Sequence, residues 1–390
     1  MSKLERLIQQ YCPDGVEYVK LDSVANICRG TRVVKSQLSD KGYPVYQNCL
    51  TPMGYFERSN CNAGITFVIC GGAAGNVGYT DVECWAADDC EFIIGGHQVI
   101  NRYIYYYLMT KQNYLLSKVR KASIPRLSPS IIKDLEIPLP PLPVQEEIVR
   151  ILDAFTELQA ELQAELQKRK QQYNYYLDNL LSFNSEGQAE VRWMKLKDVA
   201  TQWYRGAGIK REEVSEDGMP CIRYGEIHTT YNIWFDDCIS HTDESKQVSR
   251  KYAEKGDILF AITSEDIPFV GNSVAYLGDE RILVGGDIVV MKHNQDPKYM
   301  AYALSTSDAI KQKGKGKVKS KVVHTNVPSL QEIVIPIPSM TEQKRIASIL
   351  DMFDTLTNDL AAGLPAEIEK RRQQYEYYRD KLLTFKRKGA

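Results

Sequence analysis

Two long stretches of the chain have apolar residues that recur in steps of three and four positions, a series that Gln159 and Arg169 interrupt in the first stretch. In the first stretch these residues are Leu152, Phe155, Leu162, Leu166, Tyr173, Tyr176, Leu180 and Phe183. In the second they are Leu350, Phe353, Leu360, Ile368, Tyr375, Tyr378, Leu382 and Phe385. Such spacing places the apolar side chains along one side of a helix that packs against a partner helix. We therefore predict two long spacer helices, at residues 143–185 and 339–390.

The start of each predicted helix has a sequence signal. Ser339-Met340-Thr341-Glu342 has a capping-box pattern, and the first helix follows the proline-rich stretch 138–143. Because one globular segment separates the two helices, they most simply pair with each other in an antiparallel arrangement with a pseudo-two-fold axis. A parallel pair and a coiled coil between two chains are the alternatives.

The two halves of the chain repeat each other. Lys168–Phe183 and Lys370–Phe385 are identical at 11 of 16 positions with an offset of 202 residues, whereas Ile137–Phe155 matches Ile335–Phe353 with an offset of 198. Four additional residues near Gly363-Leu364-Pro365 account for the difference. An insertion of about one helical turn shifts the apolar stripe only slightly, although the proline can also kink or interrupt the second helix.

Similarity is strong in the helices and weak in the globular segments, which we assign to residues 1–142 and 186–338. This contrast indicates that the helices share one task and that the globular domains meet different targets. Ile65–Ile69 and Ile258–Ile262 are predicted strands, and Ile100–Lys111 and Pro297–Ile310 are predicted short helices. The predicted fold class is α+β: two globular domains with mixed, mainly antiparallel sheets, separated by two long antiparallel coiled-coil helices.

Composition limits the classes of function. The net charge of −1 means that any nucleic-acid surface must come from local clusters of Lys and Arg. The nine cysteines have no C-x-x-C spacing and the five histidines are scattered, so no zinc site is expected and the thiols are predicted to be reduced. No stretch approaches the ~20 apolar residues needed to span a membrane, and the amino terminus lacks the apolar core of a signal peptide. We therefore expect a cytoplasmic protein.

Sequence motifs of catalytic centres are absent. The chain has no G-x-x-x-x-G-K-[ST] phosphate loop, no G-x-S-x-G elbow and no N-P-P-Y type motif of adenine methyltransferases. Gly72–Gly78 lacks the G-x-G opening of a dinucleotide site and is predicted to be a turn between strands. The acidic pairs Asp88-Asp89 and Asp236-Asp237 are predicted to be solvated loops. We expect no catalytic residue, metal ligand or cofactor in this chain.

A lysine-rich segment is the strongest candidate for DNA contact. Lysines at positions 311, 313, 315, 317, 319 and 321 alternate strictly (Lys311, Lys313, Lys315, Lys317, Lys319 and Lys321). In an extended segment they would share one face and lie along a phosphate backbone. A flexible solvated loop is the alternative. The first domain has a thinner basic set: Lys111, Lys118, Arg120, Lys121 and Arg126.

Further candidates come from equivalent positions in the two domains. Arg29-Gly30-Thr31-Arg32 and Arg205-Gly206 combine a turn-forming glycine with guanidinium groups that suit base edges or phosphates. Ser264-Glu265-Asp266 follows a predicted strand where the first domain has Gly71–Ala74, and its carboxylates suit cytosine N4. Asn76, in the turn that matches Gly271-Asn272, is also a candidate.

The repeated P-x-P…Q-x-x-I-x-x-[IL]-L-D-x-F segments, each leading to K-R-[KR]-Q-Q-Y-x-Y-Y-x-D-x-L-L-[ST]-F, resemble the specificity subunits of Type I restriction-modification systems. Cys12-Pro13-Asp14-Gly15-Val16-Glu17-Tyr18 also resembles the start of that family. The resemblance covers essentially the whole chain. It implies two target recognition domains, each reading half of a split double-stranded DNA site, and helices that dock two modification subunits. S-adenosylmethionine, ATP and Mg would belong to modification and restriction subunits.

Residues 157–167 read ELQAELQAELQ, a four-residue repeat within the first helix. The resemblance implies that gaining or losing one unit changes the gap between the half-sites. One unit adds ~6 Å of helix, and one base pair adds ~3.4 Å. A coiled-coil adaptor that binds proteins, or a stand-alone nuclease, remains an alternative at this point. The first predicts salt-insensitive function and the second predicts metal-dependent cleavage.

Overall fold

The structure, a computed structural model, describes residues 1–183, 191–315, 317, 321–358 and 363–389. It consists of two compact units, Met1–Leu162 with Ile368–Ala390, and Gln163–Glu367. Each unit therefore contains one globular domain together with a part of each spacer helix. Among the described residues, no helix combines the length and the apolar character needed to cross a membrane.

The first unit is built from the start and the end of the chain. Its elements up to the first spacer helix are α1 (Lys3–Tyr11), β1 (Tyr18–Lys20), α2 (Leu21–Val24), β2 (Ala25–Arg29), β3 (Tyr43–Tyr46), β4 (Tyr55–Phe56), β5 (Ile65–Ile69), β6 (Val77–Thr80), β7 (Trp85–Ala86), β8 (Cys90–Gly95), α3 (Asn101–Thr110), α4 (Gln112–Ser117), α5 (Pro129–Lys133), β9 (Glu136–Pro138) and α6 (Leu142–Leu180). Helix α6 continues into the second unit.

The second unit repeats this order with additional strands. Its elements, followed by the last helix of the chain, are β10 (Arg192–Lys195), α7 (Leu196–Val199), β11 (Ala200–Arg205), β12 (Val214–Ser215), β13 (Met219–Ile222), α8 (Tyr224–Thr229), β14 (Trp234–Phe235), β15 (Ser240–Thr242), β16 (Tyr252–Ala253), β17 (Ile258–Ala261), β18 (Thr263–Ser264), β19 (Ser273–Tyr276), β20 (Ile282–Val284), β21 (Ile288–His293), α9 (Pro297–Ser305), α10 (Ser307–Gly314), β22 (Val323–His324), α11 (Val327–Gln331), β23 (Val334–Ile337), α12 (Met340–Asn358) and α13 (Leu364–Leu382).

Both units contain a sheet of the same topology. The strand order is β2-β8-β5-β6 in the first unit and β11-β21-β17-β19-β14 in the second. The four matching strands are antiparallel in both, whereas short parallel pairs occur at β3–β7, β13–β20 and β14–β19. Helices α3 and α9 contact this sheet and contribute fully buried tyrosines to the two cores. The predicted α+β class with mainly antiparallel sheets is confirmed.

The spacer helices pair in the antiparallel sense. In the first unit, the ring of Phe155 stacks on Tyr378 with centroids 5.6 Å apart, and in the second unit Tyr176 stacks on Phe353 at 5.0 Å. As the chain advances along α6, the partner position on the second stretch moves backwards. The predicted seam residues Leu152, Tyr173 and Leu350 are buried. Half-buried seam residues are Phe155, Leu162, Leu166, Tyr176, Leu180, Phe353, Tyr375 and Leu382, while Tyr378 keeps 38% of its surface exposed. Leu360 lies outside the described residues.

The second spacer segment, predicted at residues 339–390 as a helix that the proline can interrupt, is interrupted before Leu364 and stops short of residue 390. Helix α12 is described over Met340–Asn358, Gly363 is not helical, and α13 spans Leu364–Leu382. Pro365 then occupies the first turn of α13, where its missing N–H leaves no hydrogen bond unmade. Helix α6 also stops short of residue 185: it ends at Leu180, and Phe183 has a left-handed backbone with φ of 49°.

The end of the chain forms part of the first globular domain instead of extending the last helix. Val16 and Arg387 form a parallel bridge, with the Val16 N–H donating to the Lys386 carbonyl at 2.8 Å. The Tyr18 hydroxyl donates to the Phe385 carbonyl at 3.0 Å. These bonds give the backbone after α13 partners outside a helix.

Candidate nucleic-acid interface

Each matching sheet has a glycine where two backbones approach closely. A Cβ atom on Gly206 would lie 2.1 Å from the carbonyl oxygen of Gly285, and one on Gly30 would lie 2.3 Å from that of Ala86. Both distances are far below van der Waals contact with rigid backbone. The Arg-Gly pairs singled out from the sequence therefore occupy equivalent places, and glycine is required by the close approach.

The arginine before each glycine is held by its own domain. Arg29 Nε donates to the Asp88 carbonyl oxygen at 2.6 Å. Arg205 Nε donates to the Gly286 carbonyl, and its Nη2 donates to Asp287 Oδ1 at 2.7 Å. Both guanidinium groups remain exposed at the rim of a cleft. Arg205 thus has a neutralised charge, whereas Arg29 is held through a neutral carbonyl.

In the first domain this cleft has a volume of about 430 Å³ and mixed charge. Four predicted residues line it together with three carboxylates: Arg29, Lys118, Arg120 and Arg126, with Asp88, Asp89 and Glu91. Arg126 Nη1 lies 3.2 Å from Asp89 Oδ1, and burial raises the pKa of Glu91. The structure therefore brings most of the first domain's predicted basic residues together around one opening.

A tight loop supplies three of these cations. The Arg120 N–H donates to the Arg126 carbonyl at 2.8 Å, and Arg126 also bridges to Gly71 at the end of β5. In the second domain, Val323 and His324 pair with β18 in the same way. Since each segment lies between equivalent helices, the basic loop 118–126 and the lysine-rich stretch occupy matching places in the repeated fold. Arg32, Lys118 and Lys121 are exposed.

The lysine-rich stretch differs from its predicted form. Residues 311–314 belong to helix α10, so the expected extended face is wrong for this part. Lys313 is buried, and its Nζ donates to the Leu304 carbonyl at 2.7 Å and to Ser273 Oγ at 3.3 Å. Burial lowers the pKa of Lys313 to about 7. Lys313 is therefore a core residue and does not present its amine to DNA.

For the other lysines of this stretch, the expected contact with DNA stays a prediction. Lys315 and Lys321 are exposed and Lys317 is half-buried. Lys319 lies outside the described residues.

The predicted base-reading segment at 264–266 is only partly accessible. Ser264 is 5% exposed within β18, and its Oγ accepts from the Asp266 N–H at 3.3 Å. Its hydroxyl is therefore not presented at the surface, which corrects that assignment, while Glu265 and Asp266 are exposed. Asn76 is half-buried, and its Nδ2 donates to the Ala73 carbonyl at 2.8 Å, which closes the turn.

The second domain has a larger cleft that the sequence did not reveal. Its volume is about 760 Å³, and its polar lining consists of Arg205, Arg211, Arg223, Tyr224, Glu226, Thr229 and Asp287. Of these, only Arg205 was a predicted contact. Arg211 and Arg223 are separated along the chain by strands β12 and β13, so no local pattern connects them before folding.

A buried glutamine in each unit fixes the globular domain on the start of its spacer helix. Gln145 accepts from the Ile100 N–H at 3.0 Å and donates to the carbonyls of Gln98 and Pro140 at 2.8 and 2.7 Å. Gln343 accepts from the Asp296 N–H at 3.0 Å and donates to the Pro338 carbonyl at 2.9 Å, whereas its other donation, at 2.8 Å, goes to the side-chain Oε1 of Gln295. These hydrogen bonds explain why glutamine recurs at an offset of 198.

The repeated aspartate has a corresponding role. Asp153 accepts from Arg102 Nε at 2.8 Å and from the Tyr106 hydroxyl. Asp351 accepts from Lys298 Nζ at 2.6 Å and from the Tyr302 hydroxyl at 2.7 Å. In each unit a helix of the globular domain is thereby fixed to the spacer helix by one carboxylate, a tyrosine and a cation.

One tyrosine of each repeated Q-Q-Y-x-Y-Y segment points away from the helix seam. Tyr175 and Tyr377 are 65% and 61% exposed, and each packs edge-to-face on the next tyrosine, with centroids 5.6 and 5.3 Å apart. Exposed aromatic residues are enriched in protein interfaces. The chain therefore has two equivalent aromatic positions on its two spacer helices.

Known proteins match both halves of the chain. The family described as "Type I restriction modification DNA specificity domain" matches residues 13–169 and 189–370. A putative type I restriction enzyme specificity subunit of Haemophilus influenzae is 31% identical over 396 residues, which cover 98% of either chain. The EcoR124I/EcoR124II specificity subunit of Escherichia coli is 34% identical over 300 residues, covering 74% of this chain and 72% of that protein.

Solved structures share the fold. The S subunit of a type I restriction-modification system from M. genitalium has a TM-score of 0.59 at 18% identity, covering 95% of this chain and 96% of the other. A chain from a study of complex assembly and conformational transition of the type I R-M system has a TM-score of 0.62 at 14% identity, with coverage of 95% and 98%. At these identities the likeness concerns the arrangement of the elements.

Proposed function

This chain belongs to the type I restriction-modification DNA specificity family, and we propose that each of its globular domains reads one half of a split, asymmetric DNA site. As a specificity subunit it supplies DNA recognition and is a non-catalytic part of its complex. The adaptor without DNA recognition, considered from the sequence, is not supported.

The observation that carries the proposal is one repeated scaffold with two different clefts. The sheets, the Arg-Gly approaches and the glutamine and aspartate contacts recur, whereas the cleft linings do not. Divergent linings on a common scaffold fit two different DNA sequences. A mismatch costs about 1–3 kcal/mol, and a genome offers about 10⁶ or more competing sites, so two linked domains discriminate far better than one.

We further propose that the spacer helices dock two modification subunits, one at Tyr175 and one at Tyr377. Identical residues at equivalent positions of the repeat suit two copies of the same partner. The modification subunits would supply S-adenosylmethionine and methylate the DNA, and restriction subunits would add ATP- and Mg-dependent translocation and cleavage. Among the described residues, no cluster of His, Cys, Asp or Glu suits a metal ion.

A methylome tests the proposal directly. The chain is expressed with its cognate modification subunit in a host lacking adenine methylation, and the methylated positions are sequenced. We expect a bipartite motif in which exchanging one globular domain for that of a relative changes one half only. Absence of methylation, with a folded and cofactor-bound modification subunit, would contradict the proposal.

The docking positions have a separate test. Tyr175→Ala and Tyr377→Ala should each weaken one of two modification-subunit binding events in analytical ultracentrifugation. Tyr11→Ala, an exposed tyrosine on α1, is the matched control. Two unchanged binding events in both variants would rule out these positions without affecting the DNA-reading proposal.

A further inference from the structure

The large cleft of the second domain is open at its rim. Gly208 and Gly225 line it, and apart from the adjoining backbone no heavy atom lies within 4 Å of the place where a Cβ on either would stand. Arg211 is exposed in a short 3-10 turn, and Tyr224 has 39% of its surface exposed at the start of α8. A group larger than a side chain therefore has access to the polar lining of this cleft.

The charged side chains of the cleft differ in how many of their hydrogen bonds and ion pairs are made within the domain. Arg205 is paired with Asp287 at 2.7 Å. Glu226 is 6% exposed and accepts from Ser240 Oγ at 2.6 Å and from the Arg223 N–H at 3.0 Å. The Arg223 guanidinium lies 3.7 Å from Glu226, beyond hydrogen-bond distance. Its Nε is buried without a hydrogen-bond partner.

Arg211 differs from Arg205 in having an exposed guanidinium group without a carboxylate partner in the described residues. Within the part of the chain that the structure describes, no carboxylate forms an ion pair with Arg211. The cleft thus offers one guanidinium without a carboxylate and one whose carboxylate is already occupied by two other donors.

We propose that Arg211 and Arg223 make the second domain's direct contact with DNA, donating to phosphate oxygens or to the O6 and N7 atoms of guanine. The planar fork of arginine matches both acceptor arrangements. Arg205, fixed by Asp287, is a positioning residue that shapes the rim. This inference rests on the proposed function and assigns the residues of its second half-site.

The placement of these arginines distinguishes the two domains. In the first domain the cleft's additional cations come from the loop after α4, whereas in the second they come from the segments before α8. The same sheet therefore presents its basic groups from two different segments. Such a difference gives the two domains different contact points on DNA and accounts for one scaffold reading two unlike half-sites.

The test uses the full chain in complex with its cognate modification subunit. The probes are a duplex carrying the motif found in the methylome of the unaltered chain and the same duplex with the second half-site scrambled. Arg211→Gln and Arg223→Gln are compared with Arg250→Gln, an exposed arginine that lines a different surface. Arg211 is exposed, so its variant keeps the test valid if Arg223→Gln proves unstable by thermal unfolding.

We expect both cleft variants to bind the specific duplex about 5- to 150-fold more weakly and the control to change less than about 2-fold. If the arginines contact guanine, the loss is confined to the specific duplex. If they contact phosphate, both duplexes lose affinity and the slope of log K against log salt falls by about 1. Unchanged affinity of folded Arg211→Gln and Arg223→Gln overturns the inference. If domain exchange also fails to change the motif, the proposed function itself is overturned.

Discussion

The contact between Asp351 and Tyr302 allows a quantitative test of how the second globular domain is fixed to its spacer helix. Tyr302 is fully buried, and its hydroxyl donates to Asp351 Oδ1 at 2.7 Å. The same carboxylate accepts from Lys298 Nζ at 2.6 Å and from Trp234 Nε1 at 3.3 Å. Tyr302→Phe removes one oxygen without changing the packed ring, so it isolates a single hydrogen bond.

The expected cost follows from the environment of the carboxylate. A hydrogen bond to a charged group contributes about 1.5–3 kcal/mol to stability. Because the Asp351 side chain is 26% exposed, water replaces part of the lost bond, and we expect the lower part of this range, about 2 kcal/mol. For a domain of about 200 residues, 1 kcal/mol corresponds to about 2–4 °C in Tm. Tyr302→Phe should therefore lower the melting temperature of the second unit by about 4–8 °C.

Differential scanning calorimetry measures this shift, since two units are expected to give separable transitions. The control is Tyr377→Phe. Tyr377 is 61% exposed, so the loss of its hydroxyl should change Tm by less than about 2 °C. Tyr106→Phe, the equivalent change in the first unit, should lower the other transition. A Tyr302→Phe protein that melts with the wild type would refute the idea that the repeated aspartate stabilises the domain on its helix.

Three further changes test other parts of the structure. Gly206→Ala places a Cβ against the Gly285 carbonyl, so we expect a loss of about 1–3 kcal/mol in urea unfolding, whereas Gly208→Ala, with open space, should be near neutral. Between about pH 7 and 10 the unfolded chain holds a proton on Lys313 that the folded chain has lost. The free energy of unfolding of the wild type should therefore rise with pH, by at most about 1.4 kcal/mol per pH unit. If the free energy of unfolding of Lys313→Met depended on pH with the same slope, the result would contradict this expectation. Deleting Ala160–Gln163 should shorten the spacer of the methylated motif and leave both half-sites unchanged; an unaltered spacer would exclude the helix as its determinant.

The sequence predicted what depends on periodic burial. The heptad pattern located both spacer stretches, because every seam residue contributes the same signal, and the globular segment between the two helices favoured their antiparallel pairing. Repeat matching identified Gln145 and Asp153 with their counterparts, although not their partners. Those partners, the Ile100 N–H and the Tyr106 hydroxyl, come from distant segments and are set by tertiary packing.

Single-residue environments escaped the sequence analysis for a physical reason. Lys313 belongs to a strict alternation of lysines, yet α10 extends to Gly314 and turns its side chain toward the Leu304 carbonyl. Alternation predicts a shared face only in extended backbone, and a helix with a period of 3.6 residues distributes the same lysines around its axis. The break near Gly363 is similar, since the insertion was visible but its effect on the backbone was not.

The two clefts show why recognition residues are harder to predict than the scaffold that carries them. Residues such as Asp351 make the same packing contact in both units, so aligning the two halves of the sequence identifies them. A residue that reads one half-site has no reason to recur in the other domain. The proposed contacts Arg211 and Arg223 have no repeat signal, which agrees with that expectation. If the two domains read different DNA sequences, the residues that read them are expected at positions that differ between the two halves of the chain and that line one cleft. By this criterion the lining around Arg211 and the loop that carries Arg126 are the determinants to exchange first.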